Sequence, residues 1–206
     1  MSDRPQVRHF HLVQPDPYHP GHWYLASGDS PSQSHVWLSK DDGGTWIDVT
    51  DPIPVGTKEQ SVHRFTSLVF TKDYLWWATD DLTKAKTARL VRCERGEPLH
   101  VKVMGDVGNE CMRSAVMTDY GMIFISEQKN RNSKGAHIYL YTKAGDIVET
   151  GLLPRSADPQ FKSVGTCSLA SKVAVGSEFF TYGEPMLFRA PTAAYRWRLQ
   201  PQPAGK

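Results

Sequence analysis

Four carboxylates stand in the chain at nearly even intervals: Asp29, Asp80, Glu127 and Glu178 are separated by 51, 47 and 51 residues. A cation or an imidazole comes before each of them, Arg8 with His9 and His11, then Arg64, Arg113 and Lys162. Gathered at one rim, such acids and bases would bind a polar, hydroxyl-rich ligand such as a sugar, and a carboxylate beside a substrate can give or take a proton. The alternative is equally physical: acids and bases at matching positions pair with one another and contribute little beyond solubility. His9 and His11, two apart on a strand, would point to one side and could share a metal or a proton, but packed or hydrogen-bonded rings are the reading adopted.

These residues meet only if the chain repeats, and it does. Helical periodicity is scarce, while short β-branched and aromatic runs recur between Gly, Pro, Asn and Asp clusters. Four units emerge, at about 7–50, 62–107, 109–155 and 158–202, each readable as four strands; the second unit, for instance, has RFTSLVF, YLWWATDD, ARLVRC and LHVKVMG. A repeat of roughly 40–50 residues with four strands apiece is the pattern of propeller blades. The expected fold is therefore all-β, a β-propeller of four four-stranded antiparallel blades in a single domain over 1–206, either a closed small ring or part of a larger one. On that scaffold the starts of first strands and the ends of second strands share a face, which brings the acids and bases together. The second-to-third-strand loops, SGDSPSQS, DDLTKAKT, EQKNRNSKG and EFFTYGEP, differ from one another as specificity loops do. The last sets Phe179, Phe180 and Tyr182 beside Glu178 and Glu184, a platform suited to stacking on a sugar ring or to closing the edge between blades. Trp76 and Trp77 are expected in the core on opposite sides of their strand, and His19 and His22 in a loop on the far face.

The stretch HVWLSKDDGGTW, residues 35–46, carries Ser39, Asp41, Gly43, Thr45 and Trp46 in the pattern S-x-D-x-G-x-T-W. This resembles the Asp-box, or BNR repeat, of sialidase-like propellers. In those families the motif is a structural turn between the two outer strands of a blade, opposite the ligand site, so the resemblance implies that Asp41 serves its own backbone. It also implies a glycan-binding or glycan-processing protein. Arg8, Arg64 and Arg113 would correspond in kind to the arginine trio of those enzymes, and Tyr182 with Glu178 to their nucleophile pair. Glu178, Tyr182 and Asp80 are then the catalytic candidates, with Arg8, His9, His11, Asp29, Arg64, Arg113, Glu127 and Lys162 as the ligand-binding set. The arginine-isoleucine-proline signature of sialidases is absent and only four units are present, so enzyme status stays open between a glycoside hydrolase, a polysaccharide lyase and no enzyme. The alternative function is a non-catalytic propeller scaffold for protein partners, or a remnant of a larger enzyme.

Composition narrows the partners. Lys and Arg total 24 against 22 acids, for a net charge of +2, and the charges are scattered, so nucleic acid is not expected. With 39% hydrophobic residues, mean hydropathy of −0.46 and no long apolar run, no membrane span is expected either. The start MSDRPQVRHF has no apolar stretch behind a basic one, which suggests no secretory leader and a cytoplasmic setting. The three cysteines, Cys93, Cys111 and Cys167, share no CxxC spacing and are read as inert thiols rather than zinc ligands or disulfides. No metal or cofactor is expected. The partner expected is a carbohydrate or other polar small molecule, with a homodimer that joins two chains into one larger ring left open.

Overall fold

A computed structural model describes residues 7–28, 30–52, 62–80, 88–108, 112–126, 135–154, 166–169, 178–184 and 194–199. They are all-β apart from one 3-10 turn, Pro31–Gln33. The chain divides into two compact units, Met1–Met112 and Arg113–Lys206.

In the first unit, β1 (Phe10–Pro15), β2 (Trp23–Ser27), β3 (Val36–Ser39) and β4 (Ile47–Asp48) form one sheet, and β5 (Val69–Phe70), β6 (Tyr74–Ala78), β7 (Arg89–Glu94) and β8 (His100–Asp106) form a second. Each is an antiparallel meander in which sequence neighbours are sheet neighbours. The second unit, from the first residues of β9 (Met112–Thr118), continues with β10 (Gly121–Ser126), β11 (Gly135–Thr142) and β12 (Ile147–Pro154) in a third four-stranded sheet. Then β13 (Thr166–Leu169), β14 (Glu178–Glu184) and β15 (Ala194–Arg198) make a three-stranded one.

Two expectations need correction. The fourth sheet has three strands among the described residues, not four, and 178–184, expected as a loop, is its central strand: Phe179 pairs with Trp197 and Tyr182 with both Ser168 and Ala194. The run EFFTY is aromatic and β-branched, which favours a pleated strand over a loop. Glu178 therefore opens a strand instead of ending one. In the second sheet, RFTSLVF was expected as a full strand, yet only Val69–Phe70 pairs in the ladder. The preceding carbonyls are engaged elsewhere: the Asp80 amide donates to Arg64 O at 2.8 Å and Gln14 Nε2 to Leu68 O at 3.0 Å.

Alternation builds the core of the first unit. Tyr24, Ala26, Val36 and Leu38 from the first sheet meet Leu75, Trp77, Val91 and Cys93 from the second, with Val62, Phe65 and Leu68 between. Trp77 is fully buried; its indole stacks on Phe65 at 4.7 Å between centroids, and its Nε1 donates to Val62 O at 2.6 Å. Trp76 faces the other way, edge-on to Tyr74, with the Arg92 guanidinium 4.3 Å from the Tyr74 ring. Burial pushes the Cys93 thiol up to about 12, so it behaves as a small apolar side chain. In the second unit, β10 is buried at all six positions, and Val116, Ile123, Ile125, Ala136 and Ile138 form a cluster. At the β9–β10 turn Gly121 has φ +139°, and any side chain there would run into the Tyr141 carbonyl.

The two sheets of the first unit are braced at the end where β1 turns into β2. Arg95 Nε donates to Asp16 Oδ2 at 2.6 Å and Nη2 to Asp16 Oδ1 at 3.2 Å, while the same guanidinium reaches the Thr71 and Lys72 carbonyls. The Asp16 side chain is wholly buried. Burial works to raise its carboxyl, but Arg95, the Tyr18 amide and His19 outweigh burial and hold it below the ordinary range. Removing one partner of a buried pair costs about 3–5 kcal/mol, so Arg95→Ala should lose that much in equilibrium denaturation at neutral pH. Arg95→Ala combined with Asp16→Asn, which leaves no buried charge, should recover part of it.

Candidate functional site

The opposite end of the first unit gathers five of the predicted residues. β1 carries a bulge: Phe10 pairs with Ser27 and Leu12 with Ala26, leaving His11 as the extra residue. A bulge re-aims a side chain, and His11 Nδ1 is brought to 3.1 Å from the Phe65 carbonyl. That contact makes Nδ1 the protonated nitrogen of the neutral ring. The His9 ring lies 4.9 Å from it, centroid to centroid, and is exposed. Burial lowers the His11 basicity against the opposing effect of the Phe65 carbonyl and the Asp80 carboxylate, with His9 and Arg64 lowering it further. Arg64 Nη2 stands 3.7 Å from Asp80 Oδ2, and the Asp80 amide bonds back to the Arg64 carbonyl. The Asp80 carboxylate is almost entirely buried, while Arg64 keeps a fraction of its surface. Arg8 lies exposed just before this group. The arrangement sets the exposed His9 imidazole and a guanidinium backed by a buried carboxylate beside the His11 ring, whose N–H goes to Phe65, a mix of polar groups that suits a polar ligand.

The acid recurrence in the sequence has a neighbour with a clearer structural role. Ser27, Thr79 and Ser126 end or follow the second strand of each four-stranded sheet, and all three are buried. Each hydroxyl receives an amide at or near the start of the third strand: His35 N at 3.4 Å, Arg89 N at 2.9 Å and His137 N at 2.8 Å. In the first and third sheets the side chain of that residue then reaches an acid on the fourth strand. His35 Nδ1 is 2.9 Å from Asp48 Oδ2, and His137 Nδ1 is 2.9 Å from Glu149 Oε1. Each imidazole also stacks on the aromatic two residues on, Trp37 and Tyr139. A histidine oriented by a carboxylate can act as a base through its second nitrogen, but His35 Nε2 lies 3.3 Å from the Ser32 carbonyl, so this pair is a clamp. The signal was legible: a hydroxyl stands directly before Asp80 and Glu127 and two positions before Asp29.

The turn at 39–46 occupies its own aspartate. The Thr45 amide and hydroxyl both donate to the Asp41 carboxylate at 2.8 Å, and the Ser39 hydroxyl donates at 2.7 Å while accepting the Gly43 amide at 2.9 Å. These donors, the Thr45 amide first, hold the Asp41 carboxyl below its ordinary range. Trp46 Nε1 closes onto the Gly43 carbonyl at 3.0 Å. Asp42, at φ +55°, accepts Trp23 Nε1 at 3.3 Å and donates its amide to Gly21 O, which ties this turn to the β1–β2 turn and the stacked pair His19 and His22. Both Asp41 oxygens thus serve the turn itself, as a structural role requires.

Of the remaining candidates, Asp29, Glu127 and Lys162 lie outside the described residues. Arg113, Glu178 and Tyr182 are strand positions in the second unit, on β9 and β14. Among the described residues no group of three His, Cys, Asp or Glu side chains is placed to hold a metal, and no helix is long and apolar enough to cross a membrane. No family model matches the chain, and no curated protein is found to be similar to it. The likeness of residues 39–46 to an Asp-box therefore stands on those residues alone.

A buried histidine outside the predicted set is also chemically distinctive. His63 is 3% exposed, and among the described residues its Nε2 has no hydrogen-bond partner. Burial pushes its basicity down to about 4, against the pull of Asp51 and Asp48 and with a further push from His35. The unfolded chain takes up a proton near pH 6.5 and the folded one only near 4, so the unfolded state binds more protons in that window. Stability therefore falls as pH drops from about 6.5 to about 4, by on the order of 3 kcal/mol from this group. Denaturation midpoints taken from pH 7 down to 4 should show wild type losing about that much more than His63→Leu; equal losses would remove the assignment.

Proposed function

We propose that the chain is a β-propeller that binds carbohydrate at the end of the first unit where His9, His11, Arg64 and Asp80 gather. The supporting observation is the run of the two innermost segments. His11 meets Phe65 and Gln14 meets Leu68, both at a sequence offset of 54, so β1 and the segment entering β5 lie side by side in the same direction. Parallel first strands around a common axis are what a propeller requires. That alignment also sets side chains more than fifty residues apart at one opening. Polar groups of different reach, the His9 and His11 rings and the Arg64 guanidinium, suit the many hydroxyls of a sugar.

Ring closure is favoured by the outer face of the first sheet. Phe10 and Val13 are 58% and 51% exposed, and Leu25 and Trp37 lie half-buried beside them. Phe10 meets Trp37 edge-on at 6.0 Å, which makes the patch contiguous. A contiguous apolar sheet face normally has a covering layer, and in a closed ring the last blade would supply it.

Two experiments test the reading. On a glycan array the wild-type chain should give a saccharide-specific signal, weakened about tenfold in His9→Ala, the amount expected for one lost hydrogen bond of about 1.4 kcal/mol. Background binding by the wild type would refute carbohydrate recognition. For closure, Phe10→Asp should destabilise the protein by about 2 kcal/mol or more, since burying a phenylalanine is worth that much, while light scattering gives the mass of one chain for both proteins. A two-chain mass that falls to one in the variant would mean that a second copy covers the face.

A further inference from the structure

His35 stands between two acceptors. Its Nδ1 faces Asp48 Oδ2 on β4 at 2.9 Å and its Nε2 faces the Ser32 carbonyl in the 3-10 turn at 3.3 Å. A neutral imidazole has one N–H and satisfies one of these, while the imidazolium satisfies both. The ring is stacked on the Trp37 indole, 5.4 Å between centroids and 29° between planes, a position that favours positive charge. Asp48 is locked in turn, since the Thr50 amide and hydroxyl donate to its other oxygen at 3.0 and 2.5 Å.

We propose that His35 is a pH-operated clamp that as imidazolium ties the β2–β3 turn to β4 through Ser32 and Asp48, and on losing its proton lets go of the turn while keeping the strand. The remaining proton stays on Nδ1, where the carboxylate holds it, and Nε2 then presents a lone pair to the lone pairs of the Ser32 carbonyl. What else holds the turn is local: Gln33 N to Ser30 O at 3.0 Å, Ser34 Oγ to Ser30 O at 2.9 Å and Ser27 Oγ to Gln33 O at 2.7 Å. These anchor residue 33 to the sheet, and among the described residues the Ser32 carbonyl reaches β4 only through His35.

The charged and titratable groups facing His35 are Asp48 from β4 and His63 from the segment before β5, with Asp51 facing His63 in turn. The Asp48 hydrogen bond raises the His35 basicity over the opposing effect of burial, and His63, buried and uncharged at neutral pH, adds no competing cation. A folded-state value raised above the unfolded one means that the clamp contributes fully below about pH 6.5 and is lost as pH rises through the folded midpoint. His137 supplies an internal comparison, because it has the same carboxylate contact and aromatic stack but, among the described residues, no second acceptor. The turn begins where Ser27 pairs with Phe10, between His9 and His11, so its release would reshape the rim of the candidate site; that consequence rests on the carbohydrate reading, whereas the clamp itself does not.

The test is made on the full-length chain without ligand. Nitrogen-15 NMR of the imidazoles should show both His35 nitrogens protonated below about pH 6.5, with a midpoint above that of a free histidine. Amide exchange at Ser32 and Gln33, corrected for the intrinsic chemical rate, should lose protection several-fold as pH passes that midpoint, and should not respond to the His137 titration. In Asp48→Asn, the ring midpoint and the loss of protection should move to lower pH together. A singly protonated His35 below pH 6.5, or protection that stays flat across its titration, would overturn the clamp.

Discussion

The central strands β6 and β10 have no polar face, and the rest of the structure follows from that constraint. At Trp76, Trp77 and Ala78, and at all six positions of β10, the side chains are buried whichever way they point. A strand apolar on both sides needs a layer over each face, as in stacked or parallel sheets and unlike the usual antiparallel sheet with one wet face. The last strands of the two first-unit sheets, β4 and β8, obey the opposite rule. β8 reads exposed or half-exposed along its length, and β4 is only two residues long, which leaves little ladder for unwanted pairing.

Dry central strands force a solution at their ends, where the chain must leave the sheet without stranding a backbone amide. A buried hydroxyl at Ser27, Thr79 and Ser126 supplies it by accepting an amide at or near the start of the next strand. An unsatisfied buried donor costs roughly 1–3 kcal/mol, so a side-chain acceptor at this point is a structural requirement of the repeat. Asp80, directly after Thr79, stays buried, with the Arg64 guanidinium 3.7 Å from its carboxylate.

The division into strands was largely legible because alternation and turn residues are local signals. The three four-stranded sheets appear where the sequence pattern puts them, and the opposed burial of Trp76 and Trp77 follows from a period of two. Two things were not legible. EFFTYGE looks like a loop if the acid before it is assumed to end a strand, yet its aromatic and β-branched content makes it one. The segment 62–68 looks like a strand by composition, but its carbonyls are taken by His11, Gln14 and Asp80, which lie far away in sequence. For the candidate site, the grouping of His9, His11, Arg64 and Asp80 was foreseen from the repeat, whereas the bulge that turns His11 toward Phe65 depends on register, which a single strand does not encode.

The histidines show how little residue type alone decides. His11, His35 and His63 lie in one unit with rings that are half to fully buried, yet their surroundings demand different protonation. His63 has no partner at Nε2 and must be neutral; His35 has an acceptor at each nitrogen and is satisfied only when charged; His11 has a carbonyl at one nitrogen and is pushed toward neutrality by burial. The neutral His63 and the charged His35 act on each other, because each lies within the field of Asp48 and each disfavours a proton on the other. Protonating His63 in acid would place a second cation beside His35, with Asp51 and Asp48 the carboxylates nearby, and deprotonating His35 would remove the bond that spans turn and strand. The first unit thus carries opposing penalties at the two ends of the pH scale, set by acceptor placement and not by any difference in the side chains themselves.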